Sequence, residues 1–311
     1  MPNTLVHFGV QGLLGRALFR GADIKWIFVG CVIPDVPWIV QRMVRDVGPT
    51  VDLYDLRLYV IVQASLFGCL FLCGALAWLS DTPSKVFGIL FFNAFFHLLL
   101  DAVQTKWANG VHLLAPLSWD LLAVGFFWPE SPVTYTLTLV GLVYVAWVWH
   151  PAMKCPFLTN LPSIPKGVVS LLFLGCYFAA PLFLLNGPQE ADNHFVKTLR
   201  DQPARVGHPV EFDRVSYIQR SGGDVVRTLA GEEIQVSGKS LDHSSVVSIR
   251  GRFMNPGTIR IDDLHEHLPW FRDGASILGL ALLAILCGFS GGRGARFLNR
   301  TGPREGRDRS Q

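Results

Sequence analysis

The sequence has little charge, since only 16% of its 311 residues are Asp, Glu, Lys or Arg, whereas half are hydrophobic. Its mean hydropathy is positive as well. This composition argues against an ordinary soluble globular protein, in which about a quarter of the residues are charged. A lipid bilayer is the solvent that such a chain predicts.

Motifs of nucleotide-binding and redox enzymes are also missing. The chain contains no Walker-type phosphate loop and no CxxC pair. Five of the six cysteines lie in apolar segments and none lies in residues 188–272, so we expect no disulfide framework. The N-terminal stretch lacks a basic region ahead of its apolar residues, and we expect it to be retained rather than cleaved as a signal peptide.

Long apolar runs dominate the rest of the sequence. A helical span needs about twenty apolar residues, and five stretches meet or approach that length: 58–79, 86–105, 132–150, 167–187 and 273–290. Residues 24–41 and 111–128 are interrupted by proline and acidic residues, and each is interpreted either as a span or as a half-span packed inside protein. The leading segment 4–20 is expected at the membrane interface. The sequence predicts a polytopic α-helical membrane protein with about six to eight apolar helices, some of them re-entrant.

Residues 188–272 differ from this pattern. Short alternating stretches separated by glycine-rich turns predict a small soluble β-rich domain after a short helix near 190–201. The predicted organisation is therefore a multi-span membrane domain, the inserted β-rich domain, a final transmembrane helix and a basic tail, over residues 1–187, 188–272, 273–290 and 291–311 respectively.

The basic residues predict an orientation. Six arginines lie within residues 291–311, directly after the last apolar run. Arginine beside a span typically marks the cytoplasmic face, and we favour this role over nucleic-acid binding. Loops 42–57, 105–110 and 151–166 are also basic and alternate correctly with the tail, which places residues 188–272 outside the cytoplasm. The predicted partners are membrane lipids and a protein bound through residues 188–272.

Ionisable side chains inside apolar segments are costly, so each is a candidate functional residue. Four such side chains are His7, Asp35, His97 and Asp101. His97 and Asp101 are four residues apart, so on a helix they lie one above the other, as two ligands of one metal would. Thr105 continues the same stripe. Two histidines and two aspartates suit Zn, Mn or Fe.

Each of these residues also has a structural interpretation. His97 and Asp101 can form a neutralising hydrogen-bonded pair. Asp35 can cap the helix that follows it. His7 can be an interfacial or internally satisfied histidine.

Two further groups are candidates of lower rank. His112 and Asp120 lie in the ambiguous segment 111–128; we expect both to be loop or interface residues, with His112 kept as an additional candidate ligand. A dense acidic and histidine group precedes the last span, and we interpret it as a solvated membrane-proximal loop, with a metal site as the alternative. Its members are Asp262, Asp263, His265, Glu266 and His267.

Three elements follow one another in a defined order: His7, then Pro34-Asp35, then the helix motif His97-x-x-x-Asp101-x-x-x-Thr105 followed by Gly110, Leu114 and Pro116. Over residues 1 to about 120, this arrangement resembles a family of bacterial inner-membrane proteins known as membrane-bound metal-dependent hydrolases. Two departures distinguish the chain from that family. Pro37 replaces the second acid of the Pro-Asp element, and the histidine expected early in the third apolar segment is missing, with Gln63 nearest to its place.

The resemblance implies a membrane-embedded hydrolase of the bacterial inner membrane. A divalent metal would be held by His7, Asp35, His97 and Asp101, with Gln63, Thr105 and His112 as additional candidates. Asp35 and Asp101 would be catalytic, and metal-activated water would attack a lipid or lipid-linked phosphoester. The alternative is a non-catalytic membrane scaffold or assembly factor whose β-rich domain binds a protein partner. A transporter built on broken spans is a third option.

Overall fold

The chain forms a set of packed helices, a small β-barrel and a long final helix in a computed structural model, which describes residues 3–48, 51–155, 157 and 162–298. A single 3-10 turn at Ile33–Asp35 joins the second helix to the third. The helices ahead of the barrel are α1 (Thr4–Leu18), α2 (Ile24–Val32), α3 (Val36–Val47), α4 (Leu53–Ala64), α5 (Leu66–Ala77), α6 (Pro83–Val103), α7 (Pro132–Lys154) and α8 (Ile164–Leu184).

Five helical stretches in the described part of the chain are long and apolar enough to cross a membrane. They are Ile24–Val47, Pro83–Val103, Pro132–Lys154, Ile164–Glu190 and Trp270–Phe289. Helices α4 and α5 form a pair bent by 67°, which counts as a sixth stretch if the pair is one span. The predicted set of apolar helices is confirmed in this sense, by length and composition, with five or six stretches.

The first half of helix α1 is buried among the other helices, so the expectation that residues 4–20 lie at an interface does not hold for that half. The second half, from Leu13 onward, is largely exposed, and for it the expectation stays a prediction. It packs against α7 at Gly9 and Gly141, where a Cβ added to Gly9 would lie only 2.6 Å from the Gly141 Cα. Two glycines facing each other let the backbones approach closely, as small residues do in membrane helix pairs. Leu5 and Phe8 are buried as a result, and His7 points into the bundle.

Residues 111–128 form neither a span nor a half-span. Between α6 and α7 the backbone is irregular, with isolated bridges that join Gln104 to Phe127 and Val111 to Leu122. Pro116 cannot continue a helical hydrogen-bond ladder. The Ser118 hydroxyl donates to Asp120 at 2.7 Å, a local bond that competes with helix formation.

The β-rich unit is a closed five-stranded barrel with strand order β1-β2-β3-β5-β4. All neighbouring strands are antiparallel except β3 and β5, which are parallel. Inward-facing residues at alternating positions along the strands, among them Val210, Ile249 and Phe253, form its core. The predicted β-rich unit is therefore confirmed. The strands are β1 (Pro209–Ile218), β2 (Val225–Arg227), β3 (Glu233–Gly238), β4 (Ser245–Asn255) and β5 (Thr258–Glu266).

Short helices lead into the barrel and a long helix leaves it. Helices α9 (Asn186–Glu190) and α10 (Val196–Arg200) lie where one short helix was predicted. Helix α11 (Pro269–Leu298) returns along α1 and α7. It contains the predicted final span 273–290 and continues as a helix through residues 291–298 of the predicted tail; residues 299–311 lie outside the described residues.

Candidate metal centre

Four of the predicted side chains meet inside the helical bundle. His7 comes from α1, Asp35 from the 3-10 turn, and His97 and Asp101 from α6. We call this group the bundle centre. The two imidazole rings stack with centroids 3.8 Å apart. His7 Nε2 lies 3.5 Å from Asp101 Oδ1, and His97 Nε2 lies 3.5 Å from Asp35 Oδ1 and 3.8 Å from Asp101 Oδ2.

The local sequence explains how α2 brings Asp35 to α6. Gly30 lies directly against α6, since a Cβ there would be 3.0 Å from the Leu90 carbonyl oxygen. Pro34 then occurs in the 3-10 turn, where the helix breaks and Asp35 is turned toward His97. The alternative role of Asp35 as a helix cap is wrong, because its side chain makes no capping hydrogen bond to α3.

His97 has a defined tautomer. Its Nδ1 lies 2.6 Å from the Cys31 carbonyl oxygen, which can only accept, so Nδ1 carries the hydrogen. In the neutral ring Nε2 therefore presents a lone pair. That lone pair faces the carboxylates of Asp35 and Asp101, and Nε2 has no hydrogen-bond partner among the described residues. Ligand atoms of His7, His97 and Asp101 lie within 4.8 Å of one another, and Asp35 borders this group through His97. A cation would satisfy such a buried group of acceptors.

His7 is held by Gln11 on the next turn of α1. The Gln11 Nε2 lies 2.8 Å from His7 Nδ1, and the Gln11 Oε1 has no hydrogen-bond partner among the described residues. A half-turn of the amide would let Oε1 accept from Nδ1–H and would free His7 Nε2 as a ligand. His7 is therefore competent to bind a metal with a single local rotation.

Lys106 is a member of the site that the sequence did not indicate. Its Nζ lies 3.1 Å from Asp101 Oδ2, and both side chains are almost fully buried. With neutral histidines, the two aspartates and this lysine leave the bundle centre with one net negative charge. The structural alternative, in which His97 and Asp101 neutralise each other as a hydrogen-bonded pair, is weakened, because Lys106 lies closer to Asp101 than His97 does.

The additional candidates lie elsewhere or are otherwise engaged. Gln63 donates to the Tyr177 carbonyl oxygen at 3.4 Å. Thr105 is not on the helical stripe, because α6 ends at Val103, and its backbone N–H donates to Phe127. His112 is in a loop, as expected, but it is buried and lines a cavity of about 20 Å³ together with Asp101. Burial lowers the pKa of His112 to about 4, so this ring is neutral near pH 7.

The acidic and histidine group before the last span is mostly strand, so its interpretation as a solvated loop is wrong. Asp262, Asp263 and Glu266 are exposed on β5. His267 is buried, and with His265 it faces Glu130, the residue two positions before α7. Glu130, His265 and His267 form a second compact group of potential metal ligands, which we call the junction cluster.

Comparison with known proteins adds no relative: no protein-family model matches the chain, and neither a curated protein nor a solved structure matches it. The resemblance to membrane-bound metal-dependent hydrolases therefore stays a prediction, based on the order of His7, Pro34-Asp35 and the His97 to Thr105 motif.

Proposed function

We propose that the protein is a membrane-embedded, metal-dependent hydrolase that acts on a lipid or lipid-linked phosphoester. The observation that carries the proposal is the position of His97 Nε2, which faces the carboxylates of Asp35 and Asp101 inside the bundle and has no hydrogen-bond partner among the described residues. A group of acceptors with one net negative charge is costly to bury unless a cation binds to it.

The donor set fits a transition metal. Two imidazole nitrogens and two carboxylates, from His7, His97, Asp35 and Asp101, are suited to Zn, Mn or Fe. The Cys31 carbonyl oxygen accepts from His97 Nδ1 and so orients the ring with Nε2 toward the carboxylates, as a backbone acceptor commonly does for a metal-bound histidine. A bound divalent metal would lower the pKa of a water molecule and polarise the phosphoester.

Side chains of the protein would carry out the proton transfer and stabilise the charge. Asp35 has the most exposed carboxylate of the four ligands, at 14%, and its Oδ1 has no hydrogen-bond partner among the described residues. It is placed to accept a proton from the attacking water and to pass that proton to the leaving alkoxide as the phosphorus–oxygen ester bond breaks. Lys106 pairs with Asp101 and would add positive charge beside a phosphoryl group bound at this site. The cavity beside Asp101, about 20 Å³, has room for about one water molecule.

The location of the bundle centre supports the substrate class and the compartment. Three of its four residues come from stretches that are long and apolar enough to cross a membrane. A substrate with a lipid anchor would reach such a site from the bilayer, in the bacterial inner membrane. From the positions of the basic residues, we place the C-terminus in the cytoplasm and the barrel outside it.

A second function is favoured by Lys106. Because this lysine already neutralises Asp101, the buried charges can persist as a structural ion pair without a metal. The protein would then be a membrane scaffold or assembly factor whose barrel binds a protein partner outside the cytoplasm.

Elemental analysis of the detergent-purified protein separates the two functions. The hydrolase predicts that His97→Ala lowers the metal content by one equivalent per chain relative to the wild type. The matched control His150→Ala, which removes an exposed histidine near the end of α7, should keep the wild-type content. Turnover of lipid phosphates should be abolished by Asp35→Asn. Wild-type protein that is purified gently, contains no metal and turns over no lipid phosphate would favour the scaffold.

The orientation has a separate test. A topology reporter fused after Gln311 should report a cytoplasmic location. A reporter found outside the cytoplasm would make the placement of both the tail and the barrel wrong.

A further inference from the structure

The junction cluster lies where the barrel meets the loop before α7. The Glu130 carboxylate is 3.4 Å from His265 Nε2 and 3.0 Å from His267 Nδ1. Trp128 stacks on His265 with ring centroids 3.7 Å apart, which fixes the plane of that imidazole. Three potential ligand atoms from two separate parts of the chain therefore lie within 4.8 Å of one another.

A chain of polar contacts continues behind His267. His267 Nε2 lies 2.8 Å from Ser248 Oγ, which lies 3.2 Å from Asp213 Oδ1. The other oxygen of Asp213 accepts from the Asn109 side chain at 3.0 Å. The series Glu130, His267, Ser248 and Asp213 therefore contains three contacts in a row.

These three contacts lack a hydrogen when His267 is neutral. Ionised carboxylates only accept, the Ser248 hydroxyl supplies one hydrogen, and a neutral imidazole supplies one. Two hydrogens cannot serve three contacts. If Ser248 donates to Asp213 and His267 Nε2–H donates to Ser248, the missing hydrogen falls between His267 Nδ1 and Glu130, where two acceptors then face each other.

Arg214 is the charged group nearest to this gap. Its NH1 lies 3.5 Å from Glu130 Oε1 and 3.4 Å from His267 Nδ1, both at or beyond the long limit of a good hydrogen bond. Its NH2 has no hydrogen-bond partner among the described residues. The guanidinium compensates the charge of Glu130 but does not fill the gap with a short bond.

We propose that Glu130, His265 and His267 bind a zinc ion that fastens the barrel to the helical part of the chain. Two imidazoles and a carboxylate are ligands that zinc takes in proteins. Ser248 contacts His267 Nε2 and is itself bonded to Asp213, which fixes the orientation of the ring. The metal and the Arg214 guanidinium compete for the same acceptors. This site is independent of the bundle centre and of the proposed hydrolase activity.

His267 is buried, and its two ring nitrogens have different neighbours. Nε2 contacts Ser248, so Nδ1, which lies 3.0 Å from Glu130, is the atom that faces the proposed site. His265 remains partly exposed, with 26% of its side chain accessible, so zinc can reach the site from solvent.

Zinc binding to the full-length, detergent-solubilised protein tests the proposal, measured by competition with a chromophoric chelator. Relative to wild type, His265→Ala should weaken one zinc site at least 10-fold, and Ser248→Ala should weaken it about 10- to 100-fold. The matched control is His243→Ala, which removes an exposed barrel histidine that contacts Asp242 and Glu266 but no second histidine. Zinc affinity should be unchanged in that control.

Two further variants keep the test decisive if an alanine variant folds poorly. His265→Cys retains a zinc ligand and should retain the site, and substitution with cobalt should give the absorption of a thiolate-bound ion. Arg214→Gln should tighten the site, because it removes the competing cation. Equal zinc binding in wild type, His265→Ala and His267→Ala would overturn the proposal, as would an Arg214→Gln protein that binds zinc no better than His265→Ala.

Discussion

The bundle centre lies between helices and is closed on one side by the loop after α6, whereas the junction cluster lies at the partly exposed contact between the barrel and a loop. Both bring imidazole nitrogens and carboxylates together. In each, a histidine ring nitrogen faces a carboxylate oxygen: His97 Nε2 faces Asp35, and His267 Nδ1 faces Glu130. The cations beside them differ in how they are placed. Lys106 is 3.1 Å from one oxygen of Asp101, while Arg214 reaches Glu130 and His267 only at about 3.5 Å.

The placement of the two cations follows from the cost of burying a charge at each position. Inside the bundle, an unpaired carboxylate has no water to solvate it, so a lysine is held close to Asp101. At the junction, partial exposure reduces that penalty, and a loosely placed arginine is sufficient. The bundle centre should therefore be sensitive to loss of an ion-pair partner, and the junction cluster should be sensitive to loss of ligands.

The largest expected effect is on the lysine pair. Asp101→Asn leaves Lys106 buried without its carboxylate, and the free energy of unfolding should fall by about 3–5 kcal/mol. Chemical denaturation in detergent measures the change. The double variant Asp101→Asn/Lys106→Met should recover much of the loss; if it loses as much as the sum of the two single variants, the two charges are not coupled. Glu130→Gln should cost less, since Glu130 and Arg214 are both partly exposed.

The second effect concerns the packing that places His7 in the bundle centre. A Cβ on Gly141 would lie 1.9 Å from the Leu5 carbonyl oxygen, so Gly141→Ala should push α1 away from α7 at a cost of about 1–3 kcal/mol. The control is Gly88→Ala on α6, where nothing lies within 4 Å of the added Cβ. Thermal denaturation should separate the two variants. Equal melting temperatures would contradict the close contact between α1 and α7.

The third effect is on the pH dependence of stability, through a histidine outside both clusters. Burial, with Arg57 nearby, holds the pKa of His194 well below its usual value of 6.5. The unfolded state therefore binds the proton first, and stability should fall by about 1.4 kcal/mol per pH unit as the pH drops below about 6.5. His194→Phe should reduce this slope in denaturation between pH 7.5 and 5.5, and His208→Phe, at an exposed position, should leave it unchanged. If the slope of stability against pH were the same in His194→Phe as in the wild type, other groups would be responsible for the pH dependence.

The smallest expected effect is that of substituting Asp263, an exposed residue next to the junction cluster. Asp263 lies two residues before His265 on β5, but its carboxylate faces solvent and pairs with Lys239. Exposed ion pairs contribute little, so Asp263→Asn should leave both zinc affinity and melting temperature at the wild-type value. A loss of zinc affinity in this variant would extend the site onto the exposed face of β5.

Local patterns in the sequence predicted much of the fold. The apolar run 86–105 corresponds to α6 at Pro83–Val103, and the alternating stretches of 188–272 correspond to the barrel strands. The placement of His97 and Asp101 on one helical face was also predictable, because four residues make about one turn. Thr105 was misplaced because the helix ends two residues earlier, and no strong stop signal marks that end.

Contacts between distant segments were not predictable in the same way. Glu130 and His267 are 137 residues apart, and neither a spacing rule nor a repeat joins them. Lys106 looked like an ordinary basic loop residue, because its burial depends on how the chain after α6 turns back toward Asp101. The depth of α1 was also missed, since the contact of Gly9 with Gly141 involves two helices far apart in sequence.

The sequence by itself determined the apolar helices, the β-rich unit and the pairing of His97 with Asp101 on one face, because hydrophobic periodicity and helical spacing act between near neighbours. Only the tertiary structure decided that His7 and Asp35 join that pair, that Lys106 neutralises Asp101, and that Glu130 meets two barrel histidines. Those contacts depend on the crossing of helices and the seating of the barrel, and both are set by side-chain packing across the whole chain.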